Sequence, residues 1–254
     1  MHFDSLAIVL CHYEQHDTLV QAIRSIGCQT YMPDQVIVVD DGSTQKLQEA
    51  ELQHQCFAPV KLLTLSKNHG GPAIPRNQAI ASCRCSHLVF LDADDILMPH
   101  TLGYMASIWE SNPSAIAYGD QICWGAEVEK AFLQKAITAP SDEPPQTGGF
   151  YQQLLMTTRR VFLSGSGGPT RLFQNNPFDP EQRWEDYDLW LRLAAEHCEF
   201  KHTGHIHTLY RLQAGSRSGS RAARHEGCIG IQQKYFNNRP PWRWPLWFWK
   251  QRYL

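Results

Sequence analysis

No stretch of this 254-residue chain approaches the roughly 18 consecutive apolar residues that a membrane-spanning helix requires, so no spanning helix is expected. Charge of either sign is not in excess. The chain has 23 Lys and Arg against 25 Asp and Glu, a formal net charge of -2, which gives no electrostatic footprint for a nucleic-acid partner. The eight cysteines, at 11, 28, 56, 83, 85, 123, 198 and 228, form no C-x-x-C pair, and several lie inside apolar runs where Cys acts as a small hydrophobe. Met1-His2-Phe3-Asp4 lacks the basic start of a secretory signal, and the apolar run after it is short, so a reducing cytoplasm is the expected compartment. G-x-G-x-x-G, G-x-x-x-x-G-K-[ST] and G-x-S-x-G are all missing, which leaves dehydrogenase, P-loop and serine-hydrolase chemistry without their residues.

What is present is a globular composition, 43% hydrophobic and 19% charged. Leu6 to Cys11, Val36 to Val39, Val60 to Leu65 and His87 to Leu91 are apolar runs of strand length. Between them lie helical patterns: one capped by Asp17, a polar one over about 45–55, and one through Ala79, Ile80 and Ala81. This alternation predicts a Rossmann-like, mostly parallel sheet with helices on both faces, whose ligands bind beyond the carboxyl ends of the strands. Further on, residues 138–149 and Gly165-Ser166-Gly167-Gly168-Pro169 read as loops, and Glu185 to His197 as an amphipathic helix.

Two strands end in acidic clusters. Asp40-Asp41-Gly42-Ser43-Thr44 follows the second, where a carboxylate can accept hydrogen bonds from a base N–H or from ribose hydroxyls; the same residues also suit a plain turn. Asp92-Ala93-Asp94-Asp95 follows the fourth. In extended chain, Asp92 and Asp94 lie on one side and suit a hard divalent cation shared with phosphates, although acids also favour the start of a helix opened by Pro99. A third cluster, Glu185-Asp186-Tyr187-Asp188, heads the amphipathic helix. Its acids favour a helix N-terminus, and Asp186 could equally project into a cleft and take the proton of an attacking hydroxyl.

Taken in order, these blocks resemble the inverting family-2 glycosyltransferases of GT-A fold. Gln29-Thr30-Tyr31 with Val36 to Thr44 resembles that family's opening signature. Asn68-His69-Gly70-Gly71-Pro72, Arg76-Asn77 and Leu91 to Asp95 resemble its second block, and Glu185 to Leu193 its third. The likeness spans about residues 6–218.

The resemblance implies transfer of a sugar from a nucleoside-diphosphate sugar, by family habit a UDP-sugar, to an acceptor hydroxyl with inversion, in cell-surface polysaccharide or glycan synthesis. It implies that Cys11 and Tyr13 lie beside the nucleobase and that Asp41 hydrogen-bonds it, with Asp40 supporting that loop. Arg76 would face base or diphosphate, and Asp92 ribose or a metal-bound water. Asp94 would coordinate Mn²⁺ or Mg²⁺, and Asp186 would be the general base, held by Glu185. The acceptor would be a carbohydrate or a lipid-linked one.

Two positions depart from the family pattern. Glu14 stands where Asn is usual, and Gln213 where a metal-facing His is frequent, which leaves His205 or His207 to take that role. Cys198, His202, His205 and His207 lie close together, but their spacing fits no ordinary zinc site. Cys83 and Cys85 read as helix-end packing.

The expected organisation is a nucleotide-sugar half over 1–115, an acceptor and catalytic-base half over 116–218, and a Trp-rich tail over 219–254. Trp242, Trp244, Trp247 and Trp249 interleaved with Arg and Lys suit a membrane interface or a tail folded on the protein, so peripheral contact at the inner membrane face joins the expectations. Two rival functions remain. One is a catalytically inactive module that binds nucleotide sugars. The other is a sugar nucleotidyltransferase, which needs a glycine-rich basic loop where Cys11 to His16 stand.

Overall fold

The computed structural model describes residues 2–125 and 161–212 together with Tyr151, Leu154, Lys234 and Tyr235. The chain divides into two compact units, Met1–Ala214 and Gly215–Leu254. The Trp-rich tail apart from Lys234 and Tyr235, together with Gln213 and residues 138–149, lies outside the described residues.

The first unit is built on a sheet ordered β3-β2-β1-β4-β7-β6-β8-β5. β1 (Leu6–His12), β2 (Gln35–Asp40), β3 (Val60–Thr64) and β4 (His87–Asp92) run parallel to one another. Their alternate residues feed two cores, because successive side chains leave opposite faces of a strand. Leu6, Ile8, Leu10, Val36, Val38, Val89 and Leu91 pack with Leu19, Ile23 and Ile26 of α1 (His16–Gly27) and with Leu102, Met105 and Trp109 of α4 (Thr101–Ser111). On the other face α3 (Ala73–Ser82) lies over β1 and β2, and Phe90 meets Phe173 of α5 (Thr170–Asn175) edge-on. The sheet is therefore covered on both faces, which is why these strands read as unbroken apolar runs.

β6 (Ile116–Trp124) pairs parallel with β8 (Phe200–Arg211), and β5 (Ile96–Leu97) runs antiparallel at the edge. The remaining helices are α2 (Glu49–Gln53), shorter than its polar pattern suggests, and α6 (Glu185–Ala195). Asp17 does not cap α1. Gln15 precedes the helix, and Asp17 sits in its first turn, where its charge suits the helix dipole. Pro75 lies in the first turn of α3, where a missing N–H costs no intrahelical bond.

One expectation is overturned outright. Gly165 to Pro169 is not a loop: Ser166–Pro169 forms β7, antiparallel to β4 and buried throughout. Its glycines serve close approach, since a Cβ at Gly167 would strike the carbonyl of Leu88. The turn into β7 is made at Gly165, whose φ of 75° favours glycine.

Candidate active site

The carboxyl ends of β1, β2 and β4 open onto one corner, as a parallel sheet dictates. Cys11 on β1 lies in register with Asp92 on β4, and His12 with Asp40 on β2. α6 delivers Glu185 and Asp186 to the same corner, because Arg76 of α3 bridges the two layers. Its guanidinium donates to Glu185 Oε1 at 2.5 Å and to Asp92 Oδ1 at 2.6 Å. The neighbouring Asn77 holds the approach to α6, with its amide and carbonyl oxygen both bonded to the backbone of Phe178. Arg76 is buried and stays charged between its two carboxylates.

The three acids at the head of α6 have three different fates. Glu185 is buried and committed to Arg76. Asp188 is fully buried and accepts from Arg192 at 2.9 Å, one helical turn on, so it is structural. Asp186 is half-buried, with one oxygen accepting the N–H of Tyr187. Burial, and then the charge of Glu185, push its carboxyl up to about 7, with Arg76 opposing. A carboxylate poised near neutrality can take a proton from an attacking hydroxyl.

Asp94 is also perturbed, pushed up to about 6 by burial and by the charge of Asp92. The chain does not stay extended through this cluster. Asp95 N–H bonds back to Asp92 C=O in a turn, yet Asp92 and Asp94 remain half-buried while Ala93 and Asp95 between and beyond them are buried. Among the described residues no group of three or more His, Cys, Asp or Glu converges as a self-contained metal site. Two crowded carboxylates fit a hard divalent cation that takes its other oxygens from substrate phosphates.

The third acid, Asp95, faces inward. One of its oxygens accepts from Ser164 Oγ and the other from Arg211 N–H, while Ser164 Oγ accepts from Asp92 N–H. The guanidinium of Arg211 in turn reaches Asp94 C=O at 2.8 Å and lies 4.2 Å from the centre of the Trp124 ring. Sequence reasoning missed this clamp.

Where β1 and β2 end, Asp40 is fully buried. Its Oδ1 accepts Ser43 N–H, while its Oδ2 and the nearby His12 Nδ1 have no partner among the described residues. Asp41 is buried too, and both its oxygens are taken up by His69. Cys11 stands among Arg76, Asp92, Asp41 and Glu185, and burial pushes its thiol up to about 12, so it is an uncharged wall and not a nucleophile. Tyr13 is 44% exposed. Glu14, the departure from the family pattern, adopts a φ of 53° and latches the two loops together: its carboxylate accepts both N–H and O–H of Thr44.

Neither His205 nor His207 joins Asp92 and Asp94. His207 is buried with Nδ1 against Gly165 C=O and Nε2 against Thr203 Oγ1. The ring of His205 is stacked on Tyr104 at 3.7 Å. A register shift between Asp120, opposite Ile206, and Gln121, opposite Thr208, breaks the alternation that the sequence suggests for the pair.

Residues 7–174 match glycosyl transferase family 2. The chain is a family-2 glycosyltransferase. It is 25% identical over 219 residues to WfaP of Escherichia coli, a UDP-Glc:alpha-D-GlcNAc-diphosphoundecaprenol beta-1,3-glucosyltransferase, which covers 85% of this chain and 80% of that enzyme. Some relatives are longer: the glycosyltransferase spans only 31% of an uncharacterized glycosyltransferase of Rickettsia felis. Among solved structures it resembles S. aureus TarS 1-349 in complex with UDP-GlcNAc, with a TM-score of 0.68 and 17% identity over 90% of this chain and 66% of that one. It also resembles the mannosyltransferase PcManGT of Pyrobaculum calidifontis, in complex with GDP-Man and Mn2+, with a TM-score of 0.66 and 15% identity over 94% and 66%. These likenesses establish the GT-A fold expected from the sequence.

Proposed function

We propose that this glycosyltransferase transfers a sugar from a UDP-sugar, with Mn²⁺ or Mg²⁺, to a hydroxyl of a lipid-linked carbohydrate, inverting the anomeric configuration. The observation that carries this reading is Asp186, poised near neutrality beside the Glu185–Arg76–Asp92 bridge. Of the acids at the head of α6, Glu185 and Asp188 are held by arginines, which leaves Asp186 as the base. One base suffices for a single in-line displacement, and such a displacement inverts the anomeric carbon.

In this reading Cys11, Tyr13 and Asp41 frame the base, Asp40 supports their loop, and Arg76 and Asp92 border ribose and diphosphate. Asp94, with Asp92, would hold the cation, which when bound neutralises charge on the departing diphosphate. Glu185 keeps Asp186 in place and raises its basicity. Residues 1–115 serve the donor and residues 116–218 the acceptor and the base. Support for the donor and acceptor classes comes from relatives: WfaP is named for UDP-Glc and a diphosphoundecaprenol acceptor, and TarS and PcManGT were solved with UDP-GlcNAc and with GDP-Man and Mn2+. A lipid-linked acceptor brings the enzyme to the inner membrane face. Among the described residues no helix is long and apolar enough to cross a membrane, and the tail over 219–254 is the segment proposed to touch it.

The test is a panel of UDP- and GDP-sugars with a diphospholipid-linked acceptor sugar, with Mn²⁺ or with chelator, measuring nucleotide release and product anomer. The expected result is release from one UDP-sugar, loss with chelator, and a β-linked product from an α-linked donor. Nucleotide binding with no release from any donor would instead mark an inactive binding module.

A further inference from the structure

We infer that His69 sets nucleotide-base specificity by holding the acceptor-only carboxylate of Asp41 in a fixed orientation. The inference rests on the reading that Asp41 faces the base. The carboxylate of Asp41 is only 6% exposed and is gripped twice by one residue, Oδ2 accepting His69 N–H at 3.0 Å and Oδ1 lying 2.6 Å from His69 Nδ1. Asp41 N–H is itself anchored on His12 C=O, which fixes the backbone there and leaves the two contacts with His69 to set the direction of the carboxylate.

The contact is built into the loops. A Cβ at Gly42 would run into the backbone of Lys67 and Asn68, so the loop that carries His69 lies in direct contact with the loop that carries Asp41. Gly70, immediately after His69, has a φ of 77°, and a Cβ there would meet nothing within 4 Å. Glycine is needed at 70 for its backbone conformation, which turns the chain after His69, and not for space.

The chemistry follows from the donor and acceptor inventory. An ionised carboxylate offers about four lone-pair sites and no proton. With His69 occupying one site on each oxygen, the remaining sites are fixed in direction and can be met only by a donor. Uracil and guanine present a ring N–H on their pairing edge, whereas cytosine and adenine present a bare ring nitrogen, which a carboxylate repels. A site built for a hydrogen bond rejects the analogue that lacks it strongly, because buried polar groups are left unpaired. Without His69 the carboxylate can rotate, and that discrimination weakens.

The test measures affinity for UDP, GDP, CDP and ADP, with Mn²⁺, in the full chain and in His69→Asn, His69→Gln and Asp41→Asn. Asn carries its amide nitrogen where the Nδ1 of His sits, and Gln does not. The expected result is that His69→Asn stays within about threefold of the wild type. His69→Gln should lose about tenfold for the preferred nucleotide, narrow its margin over CDP by a similar factor, and raise donor KM with kcat little changed, about 1.4 kcal/mol in each case. Both variants remain polar and should melt near the wild-type temperature, which separates specificity from folding. If Asp41→Asn loses nucleotide while His69→Gln does not, the inference about His69 is overturned and the base-contact reading stands. If Asp41→Asn binds every nucleotide as the wild type does, the base-contact reading itself fails.

Discussion

The two ends of the candidate site treat their carboxylates in opposite ways. At the end proposed to bind the nucleotide, Asp41 is paired with His69, and between the two ends Arg76 joins Asp92 to Glu185. At the reacting end, Asp94 and Asp186 are crowded by like charge and burial, and both are pushed upward, to about 6 and about 7. A group matched to its partners holds a shape that a ligand can read without rearrangement. A group held against its electrostatic preference gains when a cation or a proton arrives, which is the property a metal ligand or a general base needs. If the assigned roles hold, the difference makes nucleotide binding and chemistry separable, with Arg76 as the link between the two ends.

Removing the proposed cation is expected to have the largest effect. Chelation, or Asp94→Ala, is expected to lower transfer by about a thousandfold, since charge on the leaving diphosphate is then left unmatched. Steady-state rates with and without added Mn²⁺ check this, and a rate indifferent to chelator contradicts it. Arg76→Met breaks the link between the ends. It leaves two carboxylates facing each other unpaired, at a cost of about 3–5 kcal/mol for the buried part of the bridge. A fall in melting temperature of roughly 10 °C is expected for a chain of this size, and an unchanged melting curve would break the comparison.

The pH dependence belongs to Asp186. The base form is the deprotonated one, so kcat/KM should rise about tenfold per unit up to pH about 7 and level off above it. A limb near the ordinary aspartate value of 3.8 would show that burial does not act as described. The smallest effect is on stability. Because the folded form of Asp186 titrates above its unfolded value, its charge opposes folding. That penalty is absent below about 3.8, grows between there and about 7, and is complete above. Asp186→Asn should therefore melt a few degrees above the wild type at pH 8 and together with it near pH 4.

Much of this arrangement is legible in the chain. The doubly buried strands announce themselves as apolar runs, and two of the acidic clusters sit where those runs stop, so the fold and the corner of the site follow together. What is not legible has one physical cause: it depends on partners far away in sequence. Glu14 and Thr44 are 30 residues apart, Asp41 and His69 28, and Asp95 and Arg211 116. Side-chain type and spacing cannot tell that the third acid of Asp92-Ala93-Asp94-Asp95 faces Ser164 and not a ligand. The pairing of Asp188 with Arg192, four residues on in the same helix, is by contrast local and can be read from spacing. β7 was hidden for a related reason. Glycine and proline mark a turn when read locally, yet here glycine admits a neighbouring strand too close for any side chain. His205 and His207 share the parity of one strand face, and the register shift that skips His207, between the pairs Asp120–Ile206 and Gln121–Thr208, separates them.

Asp186→Asn tests the proposed base most directly, measured in two ways on one preparation: the rate of nucleotide release from the preferred donor in the presence of acceptor, and the affinity for the free nucleotide. If Asp186 is the base and the nucleotide end is independently satisfied, the rate falls by about a thousandfold while affinity stays within about threefold. A rate within tenfold of the wild type would remove Asp186 as the base. A parallel loss of rate and affinity would show that the two ends are one unit, contrary to the geometry described.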